Sequence, residues 1–303
     1  MYDAKTNQPV DNSVFANTTI LNERDDFIED VYDQLQQQEI PIELIHAESG
    51  PGQLELVLTY RNDPVTLVDS LVLARETITA VAHQHGFKAL FLPKYDMAKA
   101  GNGLHLHLSL YDRSTDKAVF SDPNNSSSML TKTAESFVEG ILQHLSALTA
   151  LTMPSVNSFR RVGKGCWTGS EVGWAMEDKN SGVRLCLDLA SKTVTNAEVK
   201  LCDATANPYL ALAGILKAGM DGLERSVSLR PSLDDDNDND GPIIEPLPDD
   251  FPKALEHLKR DDVLLTMMGP KLSQAYLAVR LSEAERSSKA TLEEEVALWL
   301  SRA

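Results

Sequence analysis

Between Gly103 and Leu110 the chain alternates without a break: Leu104, Leu106, Leu108 and Leu110 take one parity, His105, His107 and Ser109 the other. A period of two is the mark of a strand with one face against a core and the other open to solvent or ligand. On a helix the four leucines would spread around the axis. This segment therefore demands a sheet with an apolar side and a side carrying functional groups. Side chains two apart on such a face stand about 6.5–7 Å from one another, a reach suited to holding a metal ion and a polyanion side by side. A solvated face with two incidental histidines is the plainer alternative.

The flanking segments mix helices and strands without a βαβ rhythm. Phe27, Ile28, Val31 and Leu35 recur at helical spacing between Asn22 and Gln38, and Pro41 closes that segment. Ile42–Ile45 and Leu54–Tyr60 read as extended, joined by the turn residues Ser49-Gly50-Pro51-Gly52. Asp63-Pro64 supplies a cap and a first-turn proline for a helix running to His85 and stopped by Gly86, and Phe87–Leu92 resumes as a buried strand. Helical periodicity returns at Met129–Leu151 and Pro208–Leu223, where Ala211, Ala213, Gly214 and Ala218 suit close packing. The pattern predicts an α+β fold. Residues 1–232 form its main part, an acidic low-complexity loop spans 233–250 with Asp234–Asp240 at its centre, and 251–303 adds a helical C-terminal layer to the same domain.

Charge excludes several functions. With 28 lysines and arginines against 45 acids, the net charge is −17, and no basic run is present. Phosphate backbones and anionic lipid are repelled, so neither nucleic acid nor a membrane is an expected partner. No stretch reaches the roughly 18 apolar residues of a membrane span, and the opening residues are polar, so a cytoplasmic location is expected. Cys166, Cys186 and Cys202 are odd in number and lack metal spacing, which predicts free thiols.

Two further places offer ligands for a hard cation. Glu48 and Glu55 flank the Ser-Gly-Pro-Gly-Gln turn, and a tight reversal can fold both carboxylates toward one point. A polar hairpin with two exposed acids explains them equally well. Glu198 and Lys200 lie two apart in an extended stretch, an acid and a base on one face.

Read in order, His46-Ala47-Glu48-Ser49-Gly50-Pro51-Gly52-Gln53-Leu54-Glu55, Phe91-Leu92-Pro93-Lys94, Gly101-Asn102-Gly103-Leu104-His105-Leu106-His107-Leu108-Ser109, Asn157-Ser158-Phe159-Arg160-Arg161, Glu198-Val199-Lys200 and Ala206-Asn207-Pro208-Tyr209-Leu210 resemble the catalytic domain of glutamine synthetase. The resemblance covers nearly the whole chain. It is nearest to the branch found in fungal FluG and plant nodulin-type fusion proteins, through Cys166-Trp167-Thr168-Gly169 and Glu177-Asp178-Lys179.

That resemblance implies a curved antiparallel sheet forming part of a catalytic barrel, with helices outside. It also implies an ATP-dependent ligase that joins glutamate to ammonia, or to another amine, through a γ-glutamyl phosphate. Carried over by position, Glu48 and Glu55 match ligands of one Mg2+ or Mn2+ ion, and His105 and Glu198 match ligands of another. Glu43, His107 and Ser109 match nucleotide contacts, and Gly101, Arg161 and Lys200 match glutamate contacts. Arg184 matches a phosphate-facing arginine that serves nucleotide and catalysis alike, with Arg161 and Lys200 as its catalytic companions. The family's rings imply a homo-oligomer.

The departures carry weight as well. The family's Glu-Xaa-Glu strand and its N-terminal β-grasp domain have no counterpart before Glu48, so one ligand fewer per metal is expected from this chain. Trp167 stands where the synthetases carry a glutamate that guards the intermediate, Ala100 replaces an asparagine, and Lys200 replaces an arginine, a point charge for a bidentate fork. Two alternatives follow: ligation of a larger amine, and a catalytically weak or inactive fragment with a structural or nitrogen-sensing role.

Overall fold

The computed structural model describes residues 1–12, 14–125, 127–163, 166–235 and 245–302. In chain order they form β1 (Tyr2–Asp3), α1 (Thr19–Glu23), α2 (Asp25–Gln37), β2 (Ile42–Ala47), β3 (Leu54–Leu58), α3 (Pro64–Gln84), β4 (Phe87–Lys88), β5 (Leu106–Leu108), β6 (Tyr111–Asp112) and β7 (Lys117–Ala118). There follow α4 (Lys132–Thr152), α5 (Val156–Phe159), β8 (Trp174–Met176), β9 (Val183–Asp188), β10 (Thr193–Val199), α6 (Pro208–Arg225), α7 (Phe251–Lys259), α8 (Asp262–Ser287) and α9 (Leu292–Leu300). The fold is α+β, and its elements gather into two compact units: Met1–Gly101 with Ala290–Ala303, and Asn102–Lys289. Residues 236–240 of the acidic run lie outside the described residues.

In the first unit β2 and β3 make an antiparallel hairpin. The stripe Phe27, Val31 and Leu35 of α2 packs with Ala74, Val81 and Ala82 of α3 in one buried cluster. The start and stop signals of α3 act as its sequence requires. The Asp63 carboxylate accepts hydrogen bonds from the amides of Val65 and Thr66, both at 3.2 Å, and Gly86 takes φ +74° just past the helix. The strand expected at Phe87–Leu92 closes after Lys88, because its partner β1 is only two residues long. Leu90 and Leu92 are buried all the same, beside Tyr2 and Trp299.

The second unit holds a four-stranded sheet in the order β5-β10-β9-β8. The pairs β5–β10 and β10–β9 are antiparallel, but β8 joins β9 in parallel, so the sheet is mixed where an antiparallel one is expected. No sheet among the described residues is closed. One face of this sheet, through Val183, Leu185, Ala197 and Val199, enters the large core with α4, α6, α7 and α8. Helix α4 is buried along nearly its whole length. Helix α8 bends at Gly269, which takes φ +72° ahead of Pro270.

The crossing of α4 and α6 depends on missing side chains. A Cβ on Gly222 would press into the Ser136 carbonyl oxygen and the Gly140 backbone, and one on Gly140 into the Ala218 carbonyl. Backbone that close yields only by moving the helices apart. Replacing Gly222 by alanine is expected to destabilise the chain by about 1–3 kcal/mol, read as a lower denaturation midpoint.

A buried histidine ties the same helices together. His144 Nδ1 lies 2.6 Å from Asp261 and its Nε2 3.2 Å from Asp221. Burial works to lower its pKa, but the hydrogen bonds and charges of Asp261 and Asp221 prevail, and the net shift is upward. A raised pKa stabilises the fold fully below the unfolded value of about 6.5 and loses that contribution as pH rises through the folded value. The stability deficit of His144→Gln should therefore be largest near pH 5.5 and shrink on going to pH 8. Thermal denaturation across that range measures it, and a constant deficit would contradict the assignment.

Candidate active site

The open face of the four-stranded sheet carries a row of charge set by strand register. Glu198 on β10 stands directly opposite His107 on β5 and opposite Arg184 on β9. Because side chains alternate, His105, Asn196 and Lys200 share that face, while Leu106, Ala197, Val199, Val183 and Leu185 turn the other way into the core. A bulge between Val194 and Asn196 sets this register.

Glu198 is the hub. Its side chain is 3% exposed. One carboxylate oxygen faces His105 Nδ1 at 2.9 Å, Lys200 Nζ at 3.4 Å and His107 Nε2 at 3.8 Å. The other accepts from Arg184 Nε at 2.5 Å. Burial pushes its pKa up, but the hydrogen bond and charge of His105 with the charges of Lys200 and Arg184 outweigh it, holding the carboxyl well below the usual range. Burial likewise lowers His105 and Lys200 despite Glu198's opposing pull, which keeps the imidazole neutral at pH 7. His107 is half exposed, with Nδ1 2.8 Å from the Asn196 amide oxygen, and Ser109 is exposed.

Arg161 lies behind this row. Its guanidinium is buried and donates to the carbonyls of Cys202 at 2.9 Å and Lys200 at 3.3 Å, while its Nε has no partner. Beside it the buried Asp203 is pushed up by burial, against the charge of Arg161 and bonds from Thr205 and Ser158. Trp167 is partly exposed, at φ +56°, with the Lys179 ammonium 4.7 Å from its ring centre. The cysteines are free; burial pushes the Cys186 thiol up to about 11.

In the first unit the hairpin brings Glu48 and Glu55 together. Glu55 on β3 pairs directly with His46 on β2, and Glu48 follows His46 by two residues. Donor atoms of His46, Glu48 and Glu55 all lie within 4.8 Å of one another. Sequence reasoning passed over His46, although parity placed it on the face of Glu48. Glu43 is exposed at a bulge of the same strand. Gly101, whose carbonyl accepts from the Gln53 side chain at 3.0 Å, also belongs to this unit.

Donor chemistry tests whether divalent ions fit. Two carboxylates and an imidazole, open to solvent and not closed on one another, suit a cation at the hairpin. At the sheet, His105 and Glu198 are the right donor types, but they already bond to each other, and an ion there would have to replace that hydrogen bond.

The profile described as glutamine synthetase, catalytic domain, matches residues 1–298. The chain belongs to the glutamine synthetase family. It is 35% identical over 280 residues to type-1 glutamine synthetase 1 of Dictyostelium discoideum, an alignment covering 91% of this chain and 55% of that protein. To the gamma-glutamylpolyamine synthetase of Streptomyces coelicolor it is 36% identical over 270 residues, 86% and 57% of the two chains. Protein fluG of Emericella nidulans is 31% identical over 270 residues, 86% and 28%. Among solved structures, the crystal structure of a novel glutamine synthase homolog superposes with a TM-score of 0.84 at 26% identity, covering 97% of this chain and 67% of that one. The chain thus spans a little over half the length of the first two relatives.

Within a glutamine synthetase fold, Glu198 faces four cationic or proton-bearing neighbours, so its removal leaves buried positive charge uncompensated. Glu198→Ala is expected to cost about 3 kcal/mol or more at pH 7. Since the folded pKa of Glu198 is depressed, that contribution exists above about pH 4.3 and disappears as pH falls through the folded value. Urea denaturation at pH 7 and pH 3 checks both statements: the deficit of the variant should be smaller at pH 3, which lies between the unfolded and the folded value, than at pH 7.

Proposed function

We propose that the chain carries the catalytic machinery of an ATP-dependent glutamate–amine ligase. The γ-carboxylate of glutamate takes the γ-phosphoryl group of ATP, ADP departs, and an amine displaces phosphate from the acyl phosphate while losing a proton. The observation that carries this reading is the row His107–Glu198–Arg184 with Lys200 and Arg161 around it. In a chain of net charge −17, Arg184 and Lys200 gather about Glu198 on one sheet face with Arg161 buried behind them, as binding of a triphosphate and a dicarboxylate demands.

In this reading Arg184 and His107, with Ser109 beside them, face nucleotide phosphates, and Arg161 and Lys200 orient glutamate. Within the first unit, Glu48 and Glu55 stand at positions the family uses for metal, and Glu43 and Gly101 at positions it uses for nucleotide and glutamate. Mg2+ or Mn2+, held by Glu48 and Glu55 and by His105 and Glu198, would neutralise phosphate oxygens when bound. Glu198 keeps the Arg184 and Lys200 side chains from folding away before substrate arrives. The sheet is read as one curved wall of a catalytic barrel in a cytoplasmic homo-oligomer.

One feature favours an amine larger than ammonia. The Trp167 ring already carries the Lys179 ammonium at 4.7 Å, which makes it a platform for an organic cation. A relative whose name is gamma-glutamylpolyamine synthetase agrees with that choice.

The purified chain, given glutamate, ATP and Mg2+, is expected to release phosphate only when ammonia or a polyamine such as spermidine is present. Lys200→Ala should lower kcat/KM for glutamate by about 10²–10³. Phosphate release independent of both glutamate and amine, or no loss in the variant, would overturn the proposal; a response to spermidine alone would fix the amine class.

A further inference from the structure

Several histidines of this chain face carboxylates, and three of them close to hydrogen-bond distance. His85 stands 2.7 Å from Asp30, His105 2.9 Å from Glu198 and His144 2.6 Å from Asp261. His46 differs. Its Nε2 points between two carboxylates and touches neither, at 3.6 Å from Glu48 Oε1 and 3.9 Å from Glu55 Oε2. Its Nδ1 is buried and has no partner. Its Nε2 is therefore directed at both acids without closing on either, in a ring 23% exposed.

The backbone makes this standoff a built feature. His46 and Glu55 are opposed across the hairpin, Glu48 shares the parity of His46, and the Ser49 amide holds the second oxygen of Glu48 at 2.7 Å. Glu48 Oε1 is thereby turned toward the imidazole. Phe15 packs edge-on to the His46 ring, with centroids 6.0 Å apart, and limits its rotation. Donor atoms bound at about 2.1 Å to one ion stand roughly 3–3.5 Å from each other, closer than the 3.6 and 3.9 Å from His46 and than the 4.8 Å within which the three donors lie, so an ion would draw each side chain inward.

We propose that His46 is a nitrogen ligand, completing with Glu48 and Glu55 a mixed site for a divalent transition-metal ion. This rests on the reading that Glu48 and Glu55 hold a cation, and adds to it a third donor and a preference. Two carboxylates neutralise the ion, the neutral imidazole favours Mn2+, Co2+ or Zn2+ over Mg2+, and the half-open mouth admits waters to the remaining positions.

The test uses Co2+ as an optical probe on the metal-free chain, without ATP, glutamate or amine, so that its outcome is independent of ligase activity. Co2+ is expected to give visible d–d bands, displaced by Zn2+ at equimolar concentration but not by a large excess of Mg2+. His46→Gln should weaken Co2+ binding at least tenfold and change the band shape. It should alter the melting-temperature shift given by Mg2+ far less. Glu48→Gln should abolish the Co2+ signal and the Mg2+ shift together. Far-UV circular dichroism of both variants establishes that they fold. Unchanged Co2+ affinity and spectrum in His46→Gln would remove His46 from the site while leaving the carboxylate pair standing. Bands indifferent to both substitutions, or no Co2+ binding by the wild-type chain at millimolar ion, would overturn the site itself.

Discussion

The second unit is organised around one buried negative charge. Glu198 sits in the middle strand of the sheet at 3% exposure, and a carboxylate cannot remain ionised there without compensation. Its neighbours meet that requirement from three strands: Arg184 from β9, His105 and His107 from the β5 segment, Lys200 from just beyond β10. The contacts bind in both directions. The carboxylate fixes two flexible cationic side chains in defined positions, and they in turn make its burial tolerable. Arg184 and Lys200 are therefore held in place by the fold itself.

Much of this was legible from parity alone. The alternation over Gly103–Leu110 predicts a strand with an apolar and a polar face; the structure forms it only over Leu106–Leu108, the residues that pair with β10, and there puts Leu106 and Leu108 against the core with His107 opposite Glu198. Strong local signals also held: Asp63-Pro64 and Gly86 bracket α3, and the small residues of α6 mark a close helix crossing. Each of these is a short-range property, fixed within a few residues by capping geometry, left-handed φ or side-chain volume.

What escaped the sequence is long-range. Nothing local says that β10 lies between β5 and β9, or that Thr195 is bulged out so that Glu198 meets Arg184 across the sheet. The parallel seating of β8 was not foreseen, since only six residues separate Met176 from Val183 and such a link ordinarily joins antiparallel strands. The strand expected to run on to Leu92 ends at Lys88 because pairing needs a partner, and β1 is short. His46 was visible as a letter, but its significance is a cross-strand property: only the register that opposes it to Glu55 makes it a neighbour of both acids.

The two histidine settings show how distance converts the same residue types into different devices. His105 bonds to Glu198, and burial keeps its ring neutral, so the pair is closed on itself and an ion there would first have to part it. His46 faces two carboxylates across gaps too long for hydrogen bonds, with its other nitrogen unpartnered, so that its ring is not closed on either acid. The balance of fixed charge runs oppositely as well. At the sheet Arg184 and Lys200 stand against Glu198, with Arg161 beside Asp203; at the hairpin two acids, Glu48 and Glu55, stand about one imidazole. A concentration of fixed cations attracts anionic groups, and a pair of carboxylates attracts cations. In a chain of net charge −17 the rarer sign is held in place at the sheet by burying Glu198 among Arg184 and Lys200.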